Sequence, residues 1–219
     1  MTALGSYVEQ RDQMQAQMAS QAPSELLEGF AAAAERLGRV DFAARAPKVG
    51  EHAPEFALAD QRGEQVSLAE LLHDGPVVLI FYRGEWCPYC NLQLRTFQAH
   101  LDQLAERGAQ LVAISPQTPD HSLSMAEKND LGFRVLSDVG ANVMDRYGLR
   151  FEVDEQLRVL TESVGNDIGA HNGPGGWTLP AASTFVIGPD GVVRYAHVRG
   201  DWRERAEPAD VLAALDQLS

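Results

Sequence analysis

Val77-Val78-Leu79-Ile80-Phe81-Tyr82-Arg83-Gly84-Glu85-Trp86-Cys87-Pro88-Tyr89-Cys90 reads as an apolar run, a short break and a pair of cysteines. The six apolar residues do not alternate with polar ones, which is the pattern of a strand covered on both faces of a central sheet. Beyond the cysteines, Leu94, Phe97, Leu101 and Leu104 fall on one helical face, and the spacing predicts a helix running to about Arg107 and ending at Gly108. Leu111-Val112-Ala113-Ile114-Ser115 is the next buried strand. Strand, helix and strand at this spacing make a βαβ unit with parallel strands, so the chain is of the α/β class.

Cys87 and Cys90 are the only cysteines. A Cys-x-x-Cys pair between a strand and a helix is a dithiol/disulfide site. The helix N-terminus supplies free N–H groups and positive dipole, which favour thiolate over thiol at the first cysteine. A structural zinc site would need four ligands, and no second cysteine pair exists. The histidines (His52, His73, His100, His121, His171 and His197) are scattered without close pairing. No metal and no bound cofactor are expected. Pro88 and the strand-to-helix setting argue against two inert packing cysteines.

The chain has 219 residues, 45% of them hydrophobic, and a formal charge of −13, enough for one domain with an extension. That charge argues against nucleic acid or an anionic membrane as partner. No apolar run approaches the roughly 20 residues that span a bilayer. The N-terminus has no basic and apolar segments of the secretory kind, and two neighbouring cysteines cannot staple a fold. A reducing cytoplasm is the expected compartment.

Residues 1–46 are rich in Gln, Ala and Glu and carry no strand signal. Leu26, Leu27, Phe30, Ala31, Ala34 and Leu37 recur at helical spacing after Pro23-Ser24. The spacing predicts a two-helix arm that packs on its own domain or on a second subunit, so a homodimer is one possibility. Residues 47–219 form the main domain. Phe56–Asp60 and Gln65–Leu68 read as a hairpin, and Ser67 as the cap of a short helix to His73. Residues 119–131 and 140–147 read as helices, and 133–136 as a strand between them. Residues 150–180, with five glycines from Gly165 to Gly176, read as a long irregular loop. Thr184–Ile187 and Val192–Val198 pair about the turn Gly188-Pro189-Asp190-Gly191, and Ala206–Leu218 is a final helix.

From about residue 47 to 215 the chain resembles the alkyl hydroperoxide reductase/thiol-specific antioxidant group, the peroxiredoxin-like branch of the thioredoxin superfamily. The pieces that carry the resemblance are Val49–Phe56, Phe81–Cys90, Val112–Pro116, Val135–Asp138 and Thr184–Gly191. It implies a thioredoxin-like three-layer α/β/α sandwich with a mixed central sheet, here with a helical arm added. Trp86-Cys87-Pro88-Tyr89-Cys90 matches the Trp-Cys-x-x-Cys of thioredoxins, where Cys87 attacks and Cys90 resolves. Cys-Pro-Tyr-Cys itself is similar to the glutaredoxin site. In the register of the peroxiredoxin Pro-x-x-x-Thr-x-x-Cys signature, Arg83 takes the proline position, Cys87 the threonine position and Cys90 the peroxidatic position. The peroxide-holding family arginine and the superfamily's cis-proline both fall at Ala182.

The resemblance implies a thiol-dependent peroxidase that reduces hydrogen peroxide or organic hydroperoxides and is regenerated by a thioredoxin- or glutaredoxin-type dithiol. A general thiol-disulfide oxidoreductase and a redox-sensing interaction protein are the other two readings. Around the cysteines, Arg83 stands to stabilise a thiolate or a leaving oxygen, or to be a surface arginine. Glu85 stands to accept a proton or to solvate the loop. Trp86 is expected to shield the dithiol and Tyr89 to contact substrate or lie on the helix surface. His171 and Trp177, in the 150–180 segment, are expected to cover the site; Asn91 and Arg95 have no assigned role.

Overall fold

In the computed structural model, residues 5–218 are described. The chain begins with helices α1 (Tyr7–Gln21) and α2 (Ser24–Gly38), followed by β1 (Ala57–Asp60), β2 (Gln65–Ser67), α3 (Leu68–Asp74) and β3 (Val77–Phe81). Then come α4 (Pro88–Gln98), α5 (Leu101–Ala105), β4 (Gln110–Ser115), α6 (Pro119–Lys128), β5 (Arg134–Ser137) and α7 (Asn142–Arg146). The last part holds β6 (Arg150–Glu152), α8 (Glu155–Ser163), α9 (Ile168–Asn172), β7 (Thr178–Pro180), β8 (Ala182–Ile187), β9 (Val193–Arg199) and α10 (Pro208–Asp216).

Seven strands form one sheet in the order β2-β1-β5-β4-β3-β8-β9. The strands β5, β4 and β3 run parallel, while β8 joins β3 antiparallel, so the sheet is mixed. Every residue of β3 is buried. Leu79 and Phe81 point into one apolar cluster with α3 and α7, and Val78 and Ile80 point into another with α4, α6 and α10. The two-residue period of a strand thus feeds two cores, giving helix layers on both faces. Ser67 and Glu70 close a reciprocal capping box at the start of α3. Gly191, at φ 77°, ends the β8–β9 turn with its N–H on the Gly188 carbonyl, 2.8 Å away.

The expected helix from the cysteines to Arg107 is two helices. His100 Nδ1 lies 2.8 Å from the Thr96 carbonyl that the next helical N–H would use. Its own N–H turns back to Phe97 O, and the α4 ladder stops there.

The expected irregular loop at 150–180 is also corrected. Asp154 caps α8 by accepting from Leu157 N, Asp167 caps α9 by accepting from Ala170 N, and β6 pairs antiparallel with β7. The two aspartate caps outweigh the five glycines of the segment.

The arm packs on its own domain. Ser6 caps α1, and the Glu207 carboxylate accepts from Ser6 Oγ, Tyr7 N and Val8 N at 2.8, 2.9 and 2.9 Å. Gln10 and Gln15 of α1 reach Thr96 and Tyr89 of α4. On α2, Ala33 and Ala34 bury against Leu157 and Trp202. The connection from α2 adds Phe42 and Ala46 to the main core. No helix among the described residues is long and apolar enough to cross a membrane.

Candidate active site

Strand β3 delivers the chain at Phe81 to a buried turn. Gly84 is required there, because a Cβ on it would sit 2.3 Å from Trp86 Nε1. Cys87 is the N-cap of α4, Pro88 opens the helix and Cys90 lies in its first turn. Both thiols are free and buried, with 1% exposure at Cys87 and none at Cys90. The Asn91 side chain donates to the Glu85 and Cys87 carbonyls at 2.7 and 2.8 Å and accepts from Asn129 at 2.9 Å. This clasp fixes the cysteine loop on α4. Asn91 was assigned no role from the sequence; the signal it gave was a polar residue one turn after Cys87 on a helix face that is otherwise buried.

The positive groups gather at Cys90. Its sulfur accepts from Arg83 N at 3.4 Å and from the Arg205 guanidinium at 3.5 Å. Arg205 is 5% exposed, and it also donates to Gln93 Oε1 and the Trp202 carbonyl, both at 2.8 Å. Gln93 in turn donates to Thr184 of β8. Burial alone would push the Cys90 thiol up. The Cys87 hydrogen bond, Arg205, the Arg83 guanidinium and the Arg83 N–H together outweigh it and hold Cys90 well below the usual thiol range. Cys87 is pushed well above that range by burial, by its hydrogen bond to Cys90 and by the negative sulfur there, against the pull of both arginines. The helix N-terminus favours a thiolate at the first cysteine; the hydrogen bond that Cys87 gives Cys90, with Arg205, Arg83 and the Arg83 N–H, moves it to the second.

Arg83 is not a surface residue. It is 3% exposed, with its guanidinium 4.9 Å from the Trp86 ring and 4.2 Å from the Trp202 ring. Stacking between two indoles holds a cation with little water around it. Arg205 had no local signal, lying in the segment after β9. Ala182 supplies no guanidinium, and no peptide among the described residues is cis.

A cavity of about 480 Å³ opens beside the dithiol. Met18, Leu26 and Phe30 of the arm form one wall, and Trp86, Tyr89 and Trp202 face them. Cys87 and Arg83 reach this cavity. Tyr89 lies in its wall and Pro88 is exposed at its edge. Trp177 stacks on Arg158 at 4.6 Å and does not line this cavity, whereas Thr161, Val164 and Asn166 of the same segment do, together with the arm.

Glu85 does not solvate the loop. Its N–H donates to Gln117 Oε1 at 2.9 Å, and its carboxylate meets His121 Nδ1 at 2.5 Å and His171 Nδ1 at 3.4 Å. His171 reaches the cysteine loop through Glu85 and does not line the cavity beside the dithiol. Two of the scattered histidines come together here because α6 and α9 lie side by side. The pKa of His171 is lowered by burial and by His121, with Glu85 opposing.

The AhpC/TSA family matches residues 49–196. Peroxiredoxin Bcp of Escherichia coli (strain K12) is 36% identical over 103 residues, which are 47% of this chain and 65% of that protein. The match therefore spans just under two thirds of that relative's length. The chloroplastic peroxiredoxin Q of Sedum lineare is 30% identical over 148 residues, 68% of this chain and 67% of that protein. Among solved structures, peroxidoxin BcpB from Mycobacterium tuberculosis superimposes with a TM-score of 0.62 at 26% identity, covering 79% of this chain and 99% of that one. The fold is accordingly thioredoxin-like, of the peroxiredoxin type.

Proposed function

The chain belongs to the AhpC/TSA family, and from that premise we propose that it is a thiol-dependent peroxidase in which Cys90 is the attacking thiolate and Cys87 the resolving thiol. The observation that carries this reading is the pair of donors on the Cys90 sulfur, the Arg83 backbone N–H at 3.4 Å and the Arg205 guanidinium at 3.5 Å. A thiolate held in this way is populated at neutral pH, and the same charges stabilise oxygen as negative charge builds on it.

The steps balance as follows. Cys90 thiolate attacks one peroxide oxygen; an S–O bond forms, the O–O bond breaks, and the leaving oxygen takes a proton to depart as alcohol or water. Cys90 is then a sulfenic acid. The Cys87 thiol attacks that sulfur, an S–S bond forms, and water leaves with the Cys87 proton. An external dithiol of the thioredoxin or glutaredoxin kind supplies two electrons and two protons to restore the pair. Hydrogen peroxide and organic hydroperoxides both fit the chemistry, and the acidic chain works in the reducing cytoplasm.

A second reading rests on a different observation: Cys87, not Cys90, reaches the cavity. A disulfide substrate seated there would meet Cys87 first, and the protein would act as a thiol-disulfide oxidoreductase. The two readings separate by stopped-flow tryptophan fluorescence of the reduced protein mixed with hydrogen peroxide, since Trp86 adjoins Cys87. A fast peroxide-dependent change lost in Cys90→Ser supports the peroxidase. A response no faster than that of a free small thiol sinks it, and mixed disulfides trapped by Cys90→Ser then favour disulfide exchange.

A further inference from the structure

Beside the dithiol, and separate from it, three side chains from three elements converge on one point. Glu85 belongs to the cysteine loop, His121 to α6 and His171 to α9. The two Nδ1 atoms are 3.2 Å apart, and each faces Glu85 Oε1, at 2.5 Å from His121 and 3.4 Å from His171. All three side chains are largely withdrawn from solvent, with 13% exposure at Glu85, 21% at His171 and 29% at His121.

We propose that Glu85, His121 and His171 form a binding site for one divalent transition-metal ion of the zinc type. The donor set is two imidazole nitrogens and one carboxylate oxygen, a combination that suits zinc. Ligands bound tetrahedrally at about 2.0–2.1 Å from zinc lie about 3.3 Å from one another. Two of the three edges, 3.2 and 3.4 Å, already have that length. The third is closed to 2.5 Å by the direct His121–Glu85 contact and needs to open by less than an ångström.

Proton counting favours a cation. Gln117 Nε2 lies 3.5 Å from His171 Nδ1 and can only donate to it, which leaves that nitrogen as an acceptor. With neutral imidazoles, one remaining N–H at His121 then serves two neighbours. An ion at the centre would take a lone pair from each of the three. Gln117 holds the Glu85 N–H on its Oε1, and its long 3.5 Å contact to His171 Nδ1 would give way as that lone pair turns to the ion. Three protein ligands leave one position open to water or an exogenous group.

Such an ion would tie α6 and α9 to the loop two residues before Cys87. Its occupancy would stiffen the loop that carries the dithiol. Nothing in this inference depends on the peroxidase reading.

The test uses the full chain with Cys87→Ser and Cys90→Ser combined, which removes competing thiolates. Zinc titrated by calorimetry should bind at one equivalent. His121→Ala or His171→Ala in that background should weaken it by more than about 10-fold. Glu85→Gln, which keeps the shape, should do so too and guards against a histidine variant that misfolds. Cobalt(II) added to the reduced wild-type chain should give a visible spectrum of nitrogen and oxygen ligation, with no thiolate charge-transfer band. Zinc should also slow hydrogen exchange in α9 of the wild type and not of His171→Ala. Absence of stoichiometric zinc binding in the double cysteine variant would overturn the proposal, as would an affinity in the Glu85→Gln and histidine variants equal to that of their parent. The three residues would then be a hydrogen-bonded clasp alone.

Discussion

Arg205 and Cys90 are 115 positions apart in the chain, yet the Arg205 guanidinium lies 3.5 Å from the Cys90 sulfur. The arginine is held by Gln93 and by the Trp202 carbonyl, so its position does not depend on the sulfur. Replacing it with methionine keeps much of the volume and removes the charge. A hydrogen bond to a charged group contributes about 1.5–3 kcal/mol, so the rate with peroxide at neutral pH should fall roughly 10–100-fold. Raising the pH should recover most of the loss, because the thiolate then forms without help. Stopped-flow rates across a pH series check both parts, and a loss that no pH restores would show that Arg205 acts otherwise.

The pH dependence of the unaltered protein follows from the same environment. Only the thiolate attacks, and the hydrogen bond from Cys87, with Arg205 and Arg83, holds the Cys90 pKa well below that of a free thiol. The rate should therefore be level through neutral pH. It should fall as pH drops through the depressed Cys90 pKa and the sulfur is protonated. Cys87, shifted upward, stays a thiol across that window. Iodoacetamide labelling of Cys87→Ser, whose hydroxyl can still donate to the Cys90 sulfur, should show a midpoint below that of a free thiol. A midpoint at the free-thiol value would remove the electrostatic basis of the proposed mechanism.

Glu207 joins the two ends of the fold by accepting three hydrogen bonds from Ser6, Tyr7 and Val8. Glu207→Gln removes the charge at the α1 N-terminus, at a cost of about 1 kcal/mol. Hydrogen exchange in residues 7–21 should speed up several-fold, while the main sheet keeps its protection. Uniform exchange across the chain would instead mean that arm and domain unfold as one.

Gly200 marks where the end of α2 presses on the end of β9. A Cβ at this position would lie 2.0 Å from the Leu37 carbonyl oxygen, which is backbone and cannot swing aside. Gly200→Ala should destabilise the protein by about 1–3 kcal/mol, as overpacking does. At this chain length that lowers the melting temperature by roughly 2–4 °C per kcal/mol. An unchanged thermal transition would show that the arm yields there without cost.

The sheet was legible because its signals are local. Val77–Phe81 is unbroken apolar sequence, Ser67 and Glu70 are three apart, and Gly188–Gly191 is a four-residue turn. The dithiol was legible for the same reason. What surrounds it was not. Arg205 comes from beyond the last strand, and His121 and His171 are 50 positions apart, so no window of sequence holds their meeting. The 150–180 segment was misread for a different reason. Its glycines are conspicuous, whereas the ordering rests on single aspartates at Asp154 and Asp167, each holding one N–H. The break after Gln98 depends on which carbonyl a histidine ring finds, and periodicity carries no record of that.

The family match ends at residue 196 and begins at 49, and the cavity draws Met18, Leu26, Phe30 and Trp202 from outside those limits. Arg205 lies outside them as well. The sulfur pair and the surfaces that decide its visitors and its acidity are thus written in separate stretches of chain. Change in the arm or in the last twenty-odd residues can retune selectivity while leaving the redox couple untouched. Kinship read from the shared middle foretells the reaction better than the guest.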